Sequence, residues 1–383
     1  MSSKKDKWQS YITILIFCIL IFCFTLATII VPSKEFSETE NRYLAQRPKL
    51  ELESIINGKF ENDYEEYLTD QFVLRDSLVG LKTTTQKMLF KREIKDIYFA
   101  DDDYLIERHT ESFNSDIAQR NIRVLSQFAK KYQEQFGTEH ISIMIIPNAV
   151  DILKDKLPPF ASSYNEEEYL KQIAKSLPEN VWFDTAKILQ GHNNEELYYR
   201  TDHHWKTLSA FYVYQEWAKM QGYNVPEITD YEIKTVTSNF EGTIQSKLGI
   251  KTTTDTMELF LPKEKIGYTI YNEISKETSN SLYDYSKLDT KDKYAIYFSG
   301  NQPFIRINTE VGNGRKILVI KDSYANCFVP FMIGEFQEID VVDIRYTNQK
   351  LSELMKAEEY TDLLVLYNTS GFAEDISITK LTN

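Results

Sequence analysis

Lys316-Ile317-Leu318-Val319-Ile320-Lys321-Asp322-Ser323-Tyr324-Ala325-Asn326 reads as a buried strand running into a helix start. Four consecutive apolar residues, three of them β-branched, suit a strand covered on both faces. Asp322 and Ser323 are residue types that cap helices, and residues 324–336 then read as a helix. The rhythm continues downstream with a strand at 339–344, a helix at 351–359 and a strand at 363–367. Upstream, Ile117, Asn121, Val124, Leu125, Phe128 and Tyr132 trace an amphipathic helix toward Gly137, and Ile141–Ile146 is a strand stopped by Pro147. A Glu-rich helix at 166–177 leads to a short strand, Val181-Trp182-Phe183. Such alternation predicts an α/β domain over residues 96–383, a parallel sheet with helices on both faces. Residues 223–295 break the pattern with Thr-rich, short-period text and read as an insertion, a lid or substrate rim. Residues 32–95 read as a polar helical segment, with Phe60, Tyr64, Tyr67, Leu68 and Phe72 at helical spacing.

Before that segment, residues 11–31 (YITILIFCILIFCFTLATIIV) hold no charged side chain. As a helix this window spans about 31 Å at roughly 1.5 Å per residue, the thickness of a hydrocarbon core. It carries no small-x-small cleavage site, and Cys23 follows Phe22, which speaks against lipoprotein processing. The window therefore reads as a retained transmembrane anchor. Lys4, Lys5 and Lys7 against Asp6 put +2 on residues 1–10, which assigns that tail to the cytoplasm. The expected location is the cell membrane, single-pass, with residues from 32 onward extracytoplasmic. The whole chain has 44 Lys+Arg against 57 Asp+Glu, a net −13, so the part beyond the window carries −15. That charge excludes a phosphate-backbone reader and disfavours anionic lipid, because both are recognised by clustered Lys and Arg. Cys18 and Cys23 lie in the window, leaving Cys327 alone outside. A single thiol makes neither an intramolecular disulfide nor a thiolate metal cluster.

Chemistry concentrates at Tyr199-Arg200-Thr201-Asp202-His203-His204-Trp205, which holds two of the five His. In an extended chain His203 and His204 point to opposite sides, so they make a poor metal pair, and no metal or cofactor is expected. Asp202 and His204, two positions apart, share a face. A carboxylate beside an imidazole fixes its tautomer and stabilises the imidazolium, as a general base requires. Ser323, at the carboxyl end of its strand, supplies a nucleophile at the edge where parallel sheets bind ligands. Its own N–H and the following helix start would face a developing oxyanion. Asp322-Ser323 also reads as a plain helix cap, and on these residues alone both readings stand. Trp205 reads as a core anchor for the helix carrying Ala210, Val213, Tyr214 and Trp217, and Cys327 as a packed thiol.

Asp202-His203-His204-Trp205 followed by strand-Asp322-Ser323-Tyr324 resembles the DHHW family, SGNH-hydrolase-like proteins related to those of bacterial alginate O-acetylation. Further matches are Ser37-Glu38-Thr39-Glu40-Asn41-Arg42, then Phe60, Tyr67, Asp70-Gln71-Phe72 and Arg75, then Ile145-Ile146-Pro147 and Leu364-Val365-Leu366-Tyr367-Asn368. The resemblance implies a flavodoxin-like fold with Ser323 as nucleophile, His204 as base and Asp202 as its orienting carboxylate. The order Asp, His, Ser inverts that of ordinary SGNH hydrolases, but a triad is defined by geometry. His203 falls at the variable position of the tetrad. The Ser323 N–H, Gly300, Asn301 and Tyr324 are the implied oxyanion and substrate contacts, with Lys321 standing where the hydrolases have Gly. The implied function is an O-acetyltransferase acting on a cell-surface or secreted polysaccharide. A membrane-bound O-acyltransferase would then supply the acetyl group. An acetylesterase using the same triad, or a non-catalytic scaffold or glycan-binding subunit, fits the same residues.

Overall fold

In the computed structural model, which describes residues 4–37, 42–109, 112–162, 165–347, 350–357 and 360–382, Lys316–Lys321 lies inside a seven-stranded sheet. The strands are β1 (Ile141–Ile146), β2 (Tyr268–Asn272), β3 (Thr278–Ser279), β4 (Phe304–Thr309), β5 (Lys316–Lys321), β6 (Glu338–Val342) and β7 (Asp362–Asn368). Their spatial order is β3-β2-β4-β6-β5-β7-β1. Along β5 the side chains alternate between two cores: Ile317 and Val319 enter one, Leu318 and Ile320 the other. Both faces are covered, which is why no polar residue interrupts the run. Each such aliphatic side chain contributes about 1.5–3 kcal/mol on burial.

The sheet departs from the wholly parallel arrangement expected. β6, β5, β7 and β1 are parallel, whereas β4 pairs antiparallel with both β6 and β2, and β2 with β3. β4 alternates half-buried and buried positions through its first four residues, a pattern that suits an antiparallel strand with one face more fully covered than the other. β2 and β3 come from the stretch read as an insertion, whose remainder includes a long hairpin, Tyr231–Phe240 with Asp255–Pro262.

Helices cover both faces. The sequence segments form α1 (Lys4–Ile30), α2 (Lys59–Asp70), α3 (Arg75–Met88), α4 (Asp116–Phe136), α5 (Glu166–Ser176) and α6 (Thr207–Gln221). α4 and α5 pack on the Leu318 side, and α6 with the hairpin on the Ile317 side. Residues 324–336 do not form the α-helix expected. They form two 3-10 helices, Ser323–Cys327 and Val329–Gly334, with Pro330 near the start of the second. Proline lacks the N–H that an α-helix would direct at Asn326, so the first turn cannot propagate. Trp182 makes one isolated bridge to Ile143 in place of a full strand.

The chain divides into two compact units, Met1–Lys91 with Ser246–Ile250, and Arg92–Gln245 with Lys251–Asn383. The first contains α1, an apolar helix that is a candidate membrane span or signal sequence by length and composition. Residues 38–41 of the membrane-proximal signature lie outside the described residues. Their flanks, Phe36–Ser37 and Arg42–Tyr43, pair antiparallel.

Candidate active site

Ser323 stands where β5 ends, and its immediate neighbour decides what its hydroxyl does. Asp322 performs the capping: its Oδ1 accepts the Tyr324 N–H at 2.9 Å. Its Oδ2 accepts the Asn368 backbone N–H at 2.8 Å and the Asn368 Nδ2–H at 2.6 Å, tying the ends of β5 and β7 together. The Ser323 hydroxyl is not used as a cap and lies 2.8 Å from His204 Nε2. The two sequence readings of Asp322-Ser323 are thus divided between the two residues.

His204 reaches Asp202 through a turn, not through the parity of an extended strand. Asp202 Oδ1 accepts the His204 backbone N–H at 3.0 Å and lies 2.6 Å from His204 Nδ1. Its Oδ2 accepts from the Thr243 N–H at 2.8 Å and the Thr243 hydroxyl at 3.0 Å. Gly242 makes room for this contact, since a Cβ there would stand 2.2 Å from Asp202 Cβ. The turn is pinned by Asp255, whose carboxylate accepts the Arg200 N–H at 2.7 Å, the Thr201 N–H at 2.8 Å and the Thr201 hydroxyl at 2.6 Å. Two reciprocal bonds join this loop to the serine turn. Trp205 Nε1 donates to Tyr324 O at 2.9 Å, and the Tyr324 hydroxyl donates to His203 O at 2.5 Å.

The turn also overturns the expectation that the two His point apart. Their ring centroids are 3.9 Å apart. Asp202, His203 and His204 offer ligand atoms within 4.8 Å of one another. Those atoms are engaged in hydrogen bonds, His203 Nδ1 with Thr243 Oγ1 at 2.7 Å and His204 with Asp202 and Ser323.

Electrostatics favour a neutral imidazole beside an ionised carboxylate. Burial pushes His204 down to about 4, reinforced by His203 and opposed by Asp202. Burial acts to raise Asp202, but His203, His204 and the Thr243 N–H together hold it well below the usual carboxylate range. Cys327 is pushed up to about 12 by burial and is a packed thiol.

The remaining implied contacts fall in different places. Tyr324 is fully buried, and its hydroxyl and N–H are both committed to the protein, so it is a strut between loops. Asn301 Oδ1 accepts from Lys321 Nζ at 3.1 Å and Asn326 Nδ2 at 3.2 Å, while Gly300 holds a left-handed φ of +97°. Lys321, buried where the hydrolases have Gly, also donates to Asn326 Oδ1 at 2.8 Å and lies 3.5 Å from Asp343. Two further residues shape the site. The Tyr294 ring stacks on His204 at 3.7 Å and its hydroxyl donates to Ser323 O at 3.2 Å, and Thr243 holds Asp202. A tyrosine in an aromatic-rich chain and a threonine in a Thr-rich stretch give no local signal. Asn368 ends the Leu364–Asn368 run, and the sheet brings it to Asp322.

No curated protein matches the chain. Among solved structures, a DHHW family protein from Eubacterium siraeum is 25% identical, with a TM-score of 0.62, covering 75% of this chain and 94% of that one. PatB1 of Bacillus cereus, solved with a sulfonyl adduct, is 23% identical with a TM-score of 0.60, covering 73% and 98%. A fainter likeness is to the O-acetyltransferase domain of Pseudomonas putida AlgJ, 10% identical with a TM-score of 0.45, covering 75% and 98%. The sequence itself matches the DHHW protein family over residues 94–342, a span that holds the Asp202–Trp205 tetrad and Ser323. The chain belongs to the DHHW family.

Proposed function

We propose that this protein is a membrane-anchored, extracytoplasmic O-acetyltransferase that modifies a polysaccharide through a Ser323–His204–Asp202 triad. The observation that carries the reading is the continuous chain of contacts Asp202 to His204 at 2.6 Å and His204 to Ser323 at 2.8 Å. The carboxylate holds Nδ1–H, which leaves Nε2 as the acceptor facing the serine hydroxyl. His204 takes the Ser323 proton as Oγ attacks the acetyl carbonyl. The donor leaves with that proton, and acetyl-Ser323 remains. A sugar hydroxyl then passes its proton to His204, attacks the acetyl carbon and releases Ser323. The Ser323 N–H would receive the developing oxyanion, and Asn301, whose Oδ1 accepts from Lys321 and Asn326, is the proposed second donor.

Strand order supports the SGNH-like, flavodoxin-like fold. With β5 counted first, β6-β5-β7-β1 becomes 2-1-3-4, a flavodoxin-like order whose fourth strand comes from earlier in the chain. The same permutation brings the Asp-His block ahead of Ser323. The donor is an acetyl group handed outward by a membrane-bound O-acyltransferase, and α1 keeps the site beside it.

The test is hydrolysis of a chromogenic acetyl ester, with and without a soluble glycan acceptor, by wild type and Ser323→Ala. Wild type should form a sulfonyl adduct on Ser323 with a sulfonyl fluoride and transfer acetyl to the acceptor. Ser323→Ala should lose about a thousand-fold or more in rate. Release of acetate unchanged by any acceptor makes the protein an esterase. Equal rates for wild type and variant remove catalysis altogether.

A further inference from the structure

The first unit contains a turn placed at an unusual depth. α2 ends at Asp70, α3 begins at Arg75, and the turn between them touches α1 well inside its apolar run. The Phe72 ring stacks on Phe24 at 5.7 Å, and the Val73 N–H donates to Thr28 Oγ1 at 3.3 Å. Phe24 lies six residues before Ile30, which is about 9 Å along a helix axis. If α1 spans a bilayer to its end, Phe72 and Val73 sit below the membrane surface.

The chemistry of the turn suits that depth. In hydrocarbon a backbone N–H must find a partner, and Val73 has one in Thr28, whose own hydroxyl donates to Phe24 O at 2.9 Å. The side chains turned outward are apolar: Phe72, Leu74, Leu78 and Leu81 are 37%, 60%, 40% and 63% exposed. Leu78 and Leu81, three positions apart, share a face of α3, and Leu74 precedes them in the turn with a left-handed φ of +61°. Residues 75–92 also reverse the acidic balance of the outer chain, with Arg75, Lys82, Lys87, Lys91 and Arg92 against Asp76 alone.

We propose that residues 71–74 and the exposed face of α3 form a second membrane contact, with Phe72, Val73 and Leu74 among lipid acyl chains beside α1 and the basic residues of α3 at anionic headgroups. The proposal rests on reading α1 as a retained span. An apolar helix face flanked by Lys and Arg is the composition that binds the interface of an anionic bilayer. Two contacts also restrict rotation about α1 in a way that one helix alone does not.

The test uses the full-length chain with Cys18 and Cys23 changed to Ser, leaving only the buried Cys327. A thiol is introduced by Leu74→Cys or Leu78→Cys, with Leu52→Cys as control, since Leu52 is 76% exposed in the same unit. Each variant is labelled with an environment-sensitive fluorophore and reconstituted in phosphatidylcholine vesicles containing phosphatidylglycerol. Doxyl-lipid quenching should be about threefold or more stronger at position 74 than at 52, and intermediate at 78. Quenching equal to that at 52 overturns the proposal. So does a label shielded from aqueous iodide but untouched by lipid quencher, which means that a second copy or another protein covers the face. Intact mass separates the remaining case. A chain that begins beyond residue 31 has lost α1, and then the anchoring reading fails together with this one.

Discussion

At His204 two forces oppose each other, and their balance sets a testable pH dependence. Burial disfavours the imidazolium, while Asp202 favours it, and the outcome is a value of about 4. A base must be neutral to work, so kcat/KM for a chromogenic ester should stay level below pH 6.5 and fall only near pH 4. An acid limb centred at 6.5 would contradict this environment. The linkage has the same sign: the neutral folded form is favoured above the unfolded value of 6.5, and that contribution is lost as pH falls through 4. Asp202→Asn should cost roughly a thousand- to ten-thousand-fold in kcat, because the imidazole then loses its fixed tautomer. Gly242→Ala forces a Cβ to 2.2 Å from Asp202 Cβ and 2.6 Å from Thr201 O. It should destabilise by about 1–3 kcal/mol in urea titration and lower activity further than that loss explains. The grouping of Asp202, His204 and Ser323 was legible because a carboxylate, an imidazole and a hydroxyl are residue types that pair by hydrogen bonding, and the structure brings the three together. Gly242, Thr243 and Tyr294 were not, since their roles appear only after segments 40 to 90 residues apart meet. The Asp–His pairing was found by a parity that the chain does not use there. The local turn delivers the same partners.

Among the elements, β5 was the most readable and the segment after it the least. Its uninterrupted apolar run could only be a strand with two covered faces, and Ile317 to Ile320 do divide between two cores. Leu318→Ala should therefore cost about 2–5 kcal/mol, measured by chemical denaturation, although Leu318 touches neither His204 nor Ser323 through any hydrogen bond. Beyond Ser323, helix-compatible residue types concealed the effect of Pro330, and the antiparallel edge was hidden in short Thr-rich strands. Asp322→Ala should cost about 1–3 kcal/mol by leaving the Asn368 N–H without an acceptor, and it should also disturb Ser323. Asp322→Asn keeps an acceptor and should recover part of both losses.

For the molecule as a whole, the proposed function gives α1 the task of holding acyl transfer at the membrane. Removing residues 1–31 should leave hydrolysis of a soluble ester within about twofold, while acetylation of surface glycan in cells collapses with the loss of effective concentration. β1 adds a different consequence, concerning the order in which the chain is made. Among the described residues its one partner strand is β7, with Ile141 opposite Leu363, so a buried strand that meets just the isolated Trp182 bridge on its other side waits for a partner encoded more than 200 residues later. During vectorial synthesis the His204 loop emerges, then Ser323, and the final strand closes the sheet last. Until then Ile141–Ile146 has the Trp182 bridge on one side and an open, aggregation-prone edge on the other, and the long closure makes folding slow. A chain ended before Asp362 should accumulate as insoluble material and not as a merely weakened enzyme, which makes the last strand the step that completes biogenesis.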